Sequence, residues 1–158
     1  MMMRCLEAGG IEAVCDKTMD STLEEWFGSD GYSPNPNGFY QAPPGILEDG
    51  HFVEKMKGKV VKIYLTDISK LPPANYKIIF MRRDKNEILA SLSKMTSGKD
   101  VGREQRNVEN SETLIPNILS ELATRQDMSF VQVNFAQVVK NPLLEFAKLK
   151  NNFGIPID

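Results

Sequence analysis

Residues 76–96 read YKIIFMRRDKNEILASLSKMT, and this stretch decides the fold class of the chain. Residues 76–81 form a nearly continuous apolar run, which is typical of a buried parallel strand. A helix is predicted from Lys85 to about Thr96, with Asp84 as its N-cap and Glu87 placed as in a capping box. The stretch is therefore interpreted as a strand followed directly by a helix.

The same alternation of strand and helix patterns extends in both directions along the chain. Alternating strands and helices predict an α/β fold with a mainly parallel sheet and right-handed crossovers. The other predicted elements are a helix ending at Gly9, a short strand within 11–15, a loop over 16–45 with one helical turn near 23–27, a helix over 46–57, a strand over 59–65, a helix around 115–122, a strand over 130–135, and a helix from Pro142 to Gly154.

Composition excludes several classes of protein. The 158 residues predict about one domain, and 19 basic against 21 acidic residues give a net charge of −2. A chain this close to neutral has no global field for nucleic acid or acidic lipid, so we expect neither partner, and no apolar run is long enough for a membrane span. The cysteines, Cys5 and Cys15, suit a reducing cytoplasm, and the single histidine, His51, predicts that no metal is bound.

A candidate anion site lies at the carboxyl end of the strand over 76–81. Ligands of open parallel sheets bind at this edge, and a helix N-terminus there favours negative charge. Ser91 follows Arg83 by eight residues, two helical turns beyond the start of the helix. A guanidinium and a hydroxyl so placed can grip one phosphate group. In the alternative interpretation, Arg82 and Arg83 are solvated or pair with Asp84 and Glu87.

Residues 78–95, IIFMRRDKNEILASLSKM, resemble the 3′-phosphate-binding segment of sulfotransferases that use 3′-phosphoadenosine 5′-phosphosulfate (PAPS). The family has a strand, an Arg, an acidic residue or Asn, and a Ser eight positions after the Arg. Arg83, Asp84 and Ser91 match this pattern, whereas Lys85 stands where the family often has Pro. Four further segments resemble the family in the same order: MMMRCLEAGGIEAV (1–14), NPNGFYQ (35–41), GKVVKIYLTDISKLP (58–72) and VNFAQVVKNPLLEFAKLKNNFGIPID (133–158).

The resemblance implies a P-loop-like, three-layer α/β/α domain over residues 1–158 that transfers a sulfuryl group from PAPS to a small hydroxyl or amine acceptor. Arg83 and Ser91 would hold the 3′-phosphate of the nucleotide. The family's Gly-rich phosphate loop would precede Met1, so the resemblance predicts an N-terminally truncated domain lacking that loop and the first strand. We expect such a chain to be weakly active or inactive, and to form homodimers through unpaired strand edges.

The general base is not identified by the sequence. The catalytic His of cytosolic family members aligns at Tyr64, and tyrosine is a poor base at neutral pH because its ordinary pKa is ~10. The weak catalytic candidates are therefore His51, Tyr64 and Asp67, each with a simpler interpretation as a surface, packing or turn-capping residue. Arg103 and Arg106 are interpreted either as part of a lid over the nucleotide or as a solvated helix face.

Two other functional classes stay open. The chain can be a non-catalytic remnant that keeps the Arg83 and Ser91 anion site and binds a nucleotide or a partner without turnover. It can also be related to small-molecule kinases, because phosphoryl-transfer enzymes share the P-loop architecture. The absence of a Gly-rich loop with its Lys from the sequence weakens the kinase hypothesis.

Overall fold

A computed structural model describes residues 1–27, 38–96 and 101–155. Over these ranges the chain is a mixed α/β protein with two short pairs of parallel strands. It divides into two compact units, Met1–Pro72 and Pro73–Ile155, and each unit contains one pair. The α/β class and the parallel strand pairing predicted from the sequence are therefore confirmed.

The first unit is mostly helical around a two-residue strand pair. Ala13 lies opposite Val60, and Val14 opposite Val61. Its elements are α1 (Met2–Ala8), β1 (Ala13–Val14), α2 (Lys17–Phe27), a 3-10 helix (Ile46–Glu48), α3 (Phe52–Met56), β2 (Val60–Val61) and a second 3-10 helix (Leu65–Lys70). Its buried apolar side chains are Met2, Leu6, Phe52, Ile68 and Leu71.

Three predictions for the first unit, among them a loop whose expected helical turn near 23–27 lies within α2, are confirmed only in part. The predicted loop over 16–45 begins with the helix α2, because Asp16 Oδ1 accepts the backbone N–H groups of Thr18 at 2.9 Å and Met19 at 3.1 Å and so caps it. The predicted strand over 59–65 shortens to β2, because β1 offers it only two partner residues. The chain then turns into the second 3-10 helix.

The helix predicted over 46–57 is also interrupted, since residues between the first 3-10 helix and α3 leave the helical conformation. Asp49, the residue after that 3-10 helix, has an extended backbone with ψ 116°. Its carboxylate binds the ammonium of Lys55 at 2.6 Å, and this hydrogen bond lowers the pKa of Asp49. The segment is therefore two short helical pieces joined by a kink.

The second unit is built on a longer strand pair. Its elements are β3 (Tyr76–Arg82), α4 (Lys85–Met95), α5 (Val101–Thr124), β4 (Met128–Asn134), α6 (Phe135–Lys140) and α7 (Pro142–Phe153). All seven residues of β3 pair in parallel with β4, from Tyr76 opposite Met128 to Arg82 opposite Asn134. Helices α5, α6 and α7 contact β4, and α4 packs along α5. The buried apolar side chains are Phe80, Val108, Ile115, Leu122, Met128, Val133, Val138, Leu149, Phe153 and Ile155.

Most predictions for the second unit are confirmed. Strand β3 and helices α4 and α7 lie within one residue of their expected bounds, and α7 ends at Gly154 in the left-handed conformation, φ 61°. Helix α5 is longer than predicted and contains Pro116 in its interior. Arg103 and Arg106 are exposed on α5, which confirms the solvated helix face.

The strand predicted over 130–135 is wrong at its end. The side chain of Asn134 accepts the N–H of Gln137 at 3.2 Å and caps α6, so Phe135 is the first residue of a helix.

Parts of the resembling segments, residues 35–37 and 156–158, lie outside the described residues, as do residues 97–100. Across the part of the chain that is described, no helix has the length and apolarity that crossing a membrane requires.

Candidate functional site

The link between β3 and α4 consists of Arg83 and Asp84. Asp84 is the N-cap of α4, as predicted, and its Oδ1 accepts the backbone N–H groups of Asn86 at 2.8 Å and Glu87 at 3.3 Å. A carboxylate of the chain itself therefore occupies the first turn of the helix. The N–H groups of Asn86 and Glu87, which the sequence suggested as anion donors, are thus already bound by Asp84.

Arg83 is held between two neighbours at the carboxyl edge of the strand pair. Its guanidinium carbon lies 4.5 Å from the centroid of the Phe135 ring, at the start of α6. Its Nε donates to Glu87 Oε2 at 3.3 Å, one helical turn into α4. The side chain keeps 35% of its surface exposed. β3 and β4 run parallel, with Arg82 opposite Asn134. The residues that follow them, Arg83 and Phe135, therefore reach the same edge of the strand pair.

Ser91 is exposed on α4 and lies one helical turn beyond Glu87. Glu87 and Ser91 therefore share one face of α4, and Arg83, two residues before the helix, pairs with Glu87. Within the described ranges Arg83 and Ser91 do not contact each other. Pairing with Glu87, the alternative that the sequence left open, is therefore confirmed for Arg83, whereas Arg82 pairs with Glu112.

Arg82 reaches a different helix. Its Nη2 lies 3.2 Å from Glu112 Oε2 on α5, and this ion pair stands beside a cavity of about 210 Å³ in the second unit. The cavity is mainly apolar, and it is lined by Met81, Arg82, Arg83, Ile88, Leu92, Asn107, Val108, Ser111, Glu112 and Ile115. The sequence offered no signal for Glu112, because α5 was not predicted to extend that far toward its N-terminus.

His51, in the first unit, is the N-cap residue of α3, and its side chain makes no capping hydrogen bond. Its Nδ1 lies 3.6 Å from Glu54 Oε2, and the histidine side chain is 74% exposed. Most of the His51 side chain therefore faces solvent. The backbone of His51 is bound as well, since its N–H donates to Asp49 Oδ1 at 2.9 Å and its carbonyl accepts the N–H of Lys55 at 3.0 Å.

Tyr64 and Asp67 are brought together by the second 3-10 helix, where the Asp67 N–H donates to the Tyr64 carbonyl at 3.0 Å. The Tyr64 hydroxyl donates to Gln41 Oε1 at 2.9 Å. The Asp67 carboxylate pairs with Lys70 at 2.8 Å, and this hydrogen bond raises the pKa of Lys70. Both side chains are thus engaged locally in the first unit.

A polar cluster that the sequence did not reveal surrounds Asp20 on α2. Its two carboxylate oxygens accept the consecutive N–H groups of Tyr40 at 2.8 Å and Gln41 at 3.0 Å. Tyr40 has φ 55°, a left-handed conformation that is unusual for an aromatic residue and is fixed by these bonds. Its hydroxyl donates to Glu7 Oε2 at 2.7 Å, and this hydrogen bond raises the pKa of Tyr40.

Lys62 lies beside this cluster, just after β2. Its ammonium donates to the carbonyl of Phe39, and burial lowers the pKa of Lys62 while the nearby carboxylate of Asp20 opposes that effect. The contact spans 23 residues of sequence, so no local pattern predicts it.

Among the described residues, no group of three or more His, Cys, Asp and Glu side chains is placed to hold a metal ion. Comparison of the chain with protein families, with curated proteins and with solved structures finds no match. The function is therefore argued from the site itself.

Proposed function

We propose that this chain is a sulfotransferase-type protein with a P-loop-like, three-layer fold, and that Arg83 binds the 3′-phosphate of PAPS or of adenosine 3′,5′-bisphosphate. In its complete form it transfers a sulfuryl group to a hydroxyl or amine acceptor. The observation that carries the proposal is the position of Arg83: a partly exposed guanidinium at the carboxyl edge of a parallel strand pair, ahead of a capped helix that presents Ser91.

The side chains on this edge suit a dianionic phosphate. A guanidinium has five N–H donors, and the Nε–H of Arg83 is the one that binds Glu87, so the Nη groups can address phosphate oxygens. The ring of Phe135 supports the guanidinium, and 35% of the Arg83 side chain stays exposed. Ser91 adds a neutral hydroxyl donor farther along α4.

Isothermal titration calorimetry at fixed salt tests the assignment. Adenosine 3′,5′-bisphosphate is expected to bind more tightly than AMP, which lacks the 3′-phosphate. Arg83→Ala should weaken binding of the bisphosphate by about 10- to 100-fold, and Ser91→Ala by only about 2- to 10-fold, because a charge-assisted hydrogen bond is roughly twice as strong as a neutral one. Arg83→Lys should recover part of the affinity.

A matched control is Arg125→Ala. Arg125 pairs with Asp127 at 2.6 Å, at the opposite end of β4 from Phe135. Its removal deletes one positive charge from the same unit without touching the proposed site, so the bisphosphate affinity should stay within about twofold. Equal affinity for AMP and the bisphosphate, or binding of neither, would remove the 3′-phosphate assignment.

Binding without turnover is a second candidate function, and it is favoured by the local engagement of all three candidate bases. His51 pairs with Glu54, while Tyr64 and Asp67 are bound to Gln41 and Lys70. An assay with radiolabelled PAPS and simple phenols or amines separates the two functions. Robust transfer that Arg83→Ala abolishes would show that the chain is a catalyst.

A further inference from the structure

Glu87 occupies the space in which an anion bound to both Arg83 and Ser91 would lie. Its carboxylate takes the Nε–H of Arg83 at 3.3 Å, and Ser91 follows on the same face of α4 one turn later. Side chains at this spacing on a helix lie about 5–6 Å apart at their Cβ atoms. A phosphate bound by both Arg83 and Ser91 would therefore lie next to the negative charge of Glu87.

The guanidinium of Arg83 also has an aromatic neighbour. The Phe135 ring stacks on Arg83 with 4.5 Å between the guanidinium carbon and the ring centroid, so the side chain cannot turn away from Glu87 without losing this contact. The Asp84 carboxylate is fixed at the helix start by two backbone N–H groups and does not exchange with Glu87. The Arg83–Glu87 ion pair is thus the contact that an incoming anion has to replace.

We propose that the Glu87 carboxylate is a built-in competitor for the anion at Arg83, and that it determines how tightly this site holds phosphate. The inference rests on the proposed function, because it takes Arg83 as the phosphate ligand. Glu87 both consumes one donor of Arg83 and repels the bound phosphate, and each effect weakens binding. A dianionic phosphate displaces it more readily than a monoanion, since the guanidinium gains more charge interaction in the exchange.

Glu87→Gln isolates this effect. Glutamine keeps the length and helix propensity of the side chain and removes only the charge, and because Glu87 is exposed the variant should fold as the parent does. Titration with adenosine 3′,5′-bisphosphate at low salt should show binding about 3- to 10-fold tighter than that of the parent chain, the size expected for loss of an exposed ion pair together with a nearby like charge. In the Arg83→Ala background the same substitution should change the affinity by less than about twofold, because the pair is already broken.

Glu121→Gln is the matched control. Glu121 is exposed in the last turns of α5, which lead to the amino end of β4 and thus away from Phe135, and the substitution makes the same change in net charge. It should leave the affinity within about twofold. A gain in affinity equal to that of Glu87→Gln would show that net charge alone is responsible and would overturn the inference.

The outcomes separate the inference from the proposed function. Arg83-dependent binding that Glu87→Gln leaves unchanged overturns the role of Glu87 and leaves the phosphate assignment standing. Binding that appears only in the Glu87→Gln chain and disappears in the double variant supports both. No Arg83-dependent binding in either chain overturns the phosphate assignment, and the role of Glu87 falls with it.

Discussion

Replacement of Asp84 tests whether the start of α4, and with it the position of Arg83, is fixed as the structure shows. Asp84→Ala removes both hydrogen bonds to the first turn of the helix, at 2.8 and 3.3 Å. Loss of an N-cap side chain costs about 0.5–2 kcal/mol, typically about 1 kcal/mol. Asp84→Asn keeps the accepting oxygen and removes only the charge, whose interaction with the helix N-terminus contributes about 0.3–1 kcal/mol.

Urea unfolding followed by circular dichroism gives the free energy of unfolding for each chain. We expect the order parent, Asp84→Asn, Asp84→Ala, with unchanged m-values, and a midpoint temperature about 2–4 °C lower for each kcal/mol lost in a chain of this length. An Asp84→Ala chain as stable as the parent would refute the cap. An Asp84→Asn chain less stable than Asp84→Ala would refute the hydrogen-bond geometry, since asparagine retains the acceptor.

Two further predictions address packing and pH. Leu149→Ala should cost about 2–5 kcal/mol of unfolding free energy because Leu149 is fully buried. Leu143 lies on the same helix but is 82% exposed, so Leu143→Ala should change the unfolding free energy by less than about 0.5 kcal/mol. Urea unfolding of both variants tests the difference. The hydrogen bond from Arg125 lowers the pKa of Asp127 below its usual 3.8, so its stabilising contribution is present above that pH and is lost as the pH falls through the lower, folded-state value. Acid unfolding of Asp127→Asn should therefore show a shallower loss of stability below about pH 4 than the parent chain, and identical profiles would contradict the pairing.

The elements that the sequence predicted well are those in which several local signals coincide. The apolar run of β3, the cap at Asp84 and the spacing of Ile88 and Leu92 all point to one strand and one helix with the same boundary. Helix α7 has Pro142 in its first turn and Gly154 at its end. In both cases the physical cause lies within a few residues of the element itself.

The errors occur where a distant contact decides the local structure. Helix α2 is rich in Ser, Thr and Asp, which favour loops, yet Asp20 binds the backbone at Tyr40 and ties the helix to a remote segment. The predicted strand ends at Val61 because β1, a segment distant in sequence, pairs with only two of its residues. Tertiary contacts of this kind override local propensity, and a single sequence carries no signal for them.

In the candidate site, too, local sequence signals predict some residues, and contacts between distant segments bring in the others. Arg83, Asp84 and Ser91 were named from spacing, because a strand, a cap and a helix fix their relative positions. Phe135 was placed in a strand, so its stacking on Arg83 could not be anticipated. The contact between Phe135 and Arg83 depends on the parallel register of β3 and β4, which brings together residues 52 positions apart (135 − 83).

The arginine doublet illustrates why a motif alone does not define a site. Each guanidinium already has a carboxylate, Glu112 for Arg82 and Glu87 for Arg83, but the two pairs differ in what an anion would disturb. The Arg82 pair joins β3 to α5 across 30 residues of sequence, so its disruption would remove a contact between two elements of the unit. The Arg83 pair joins residues only four positions apart, and its arginine side chain is exposed to nearly the same extent, 35% against 33% for Arg82, so an external phosphate can replace the Glu87 carboxylate without separating two elements. Anion exchange is therefore expected at the second arginine of the doublet, and the first serves the packing of the unit.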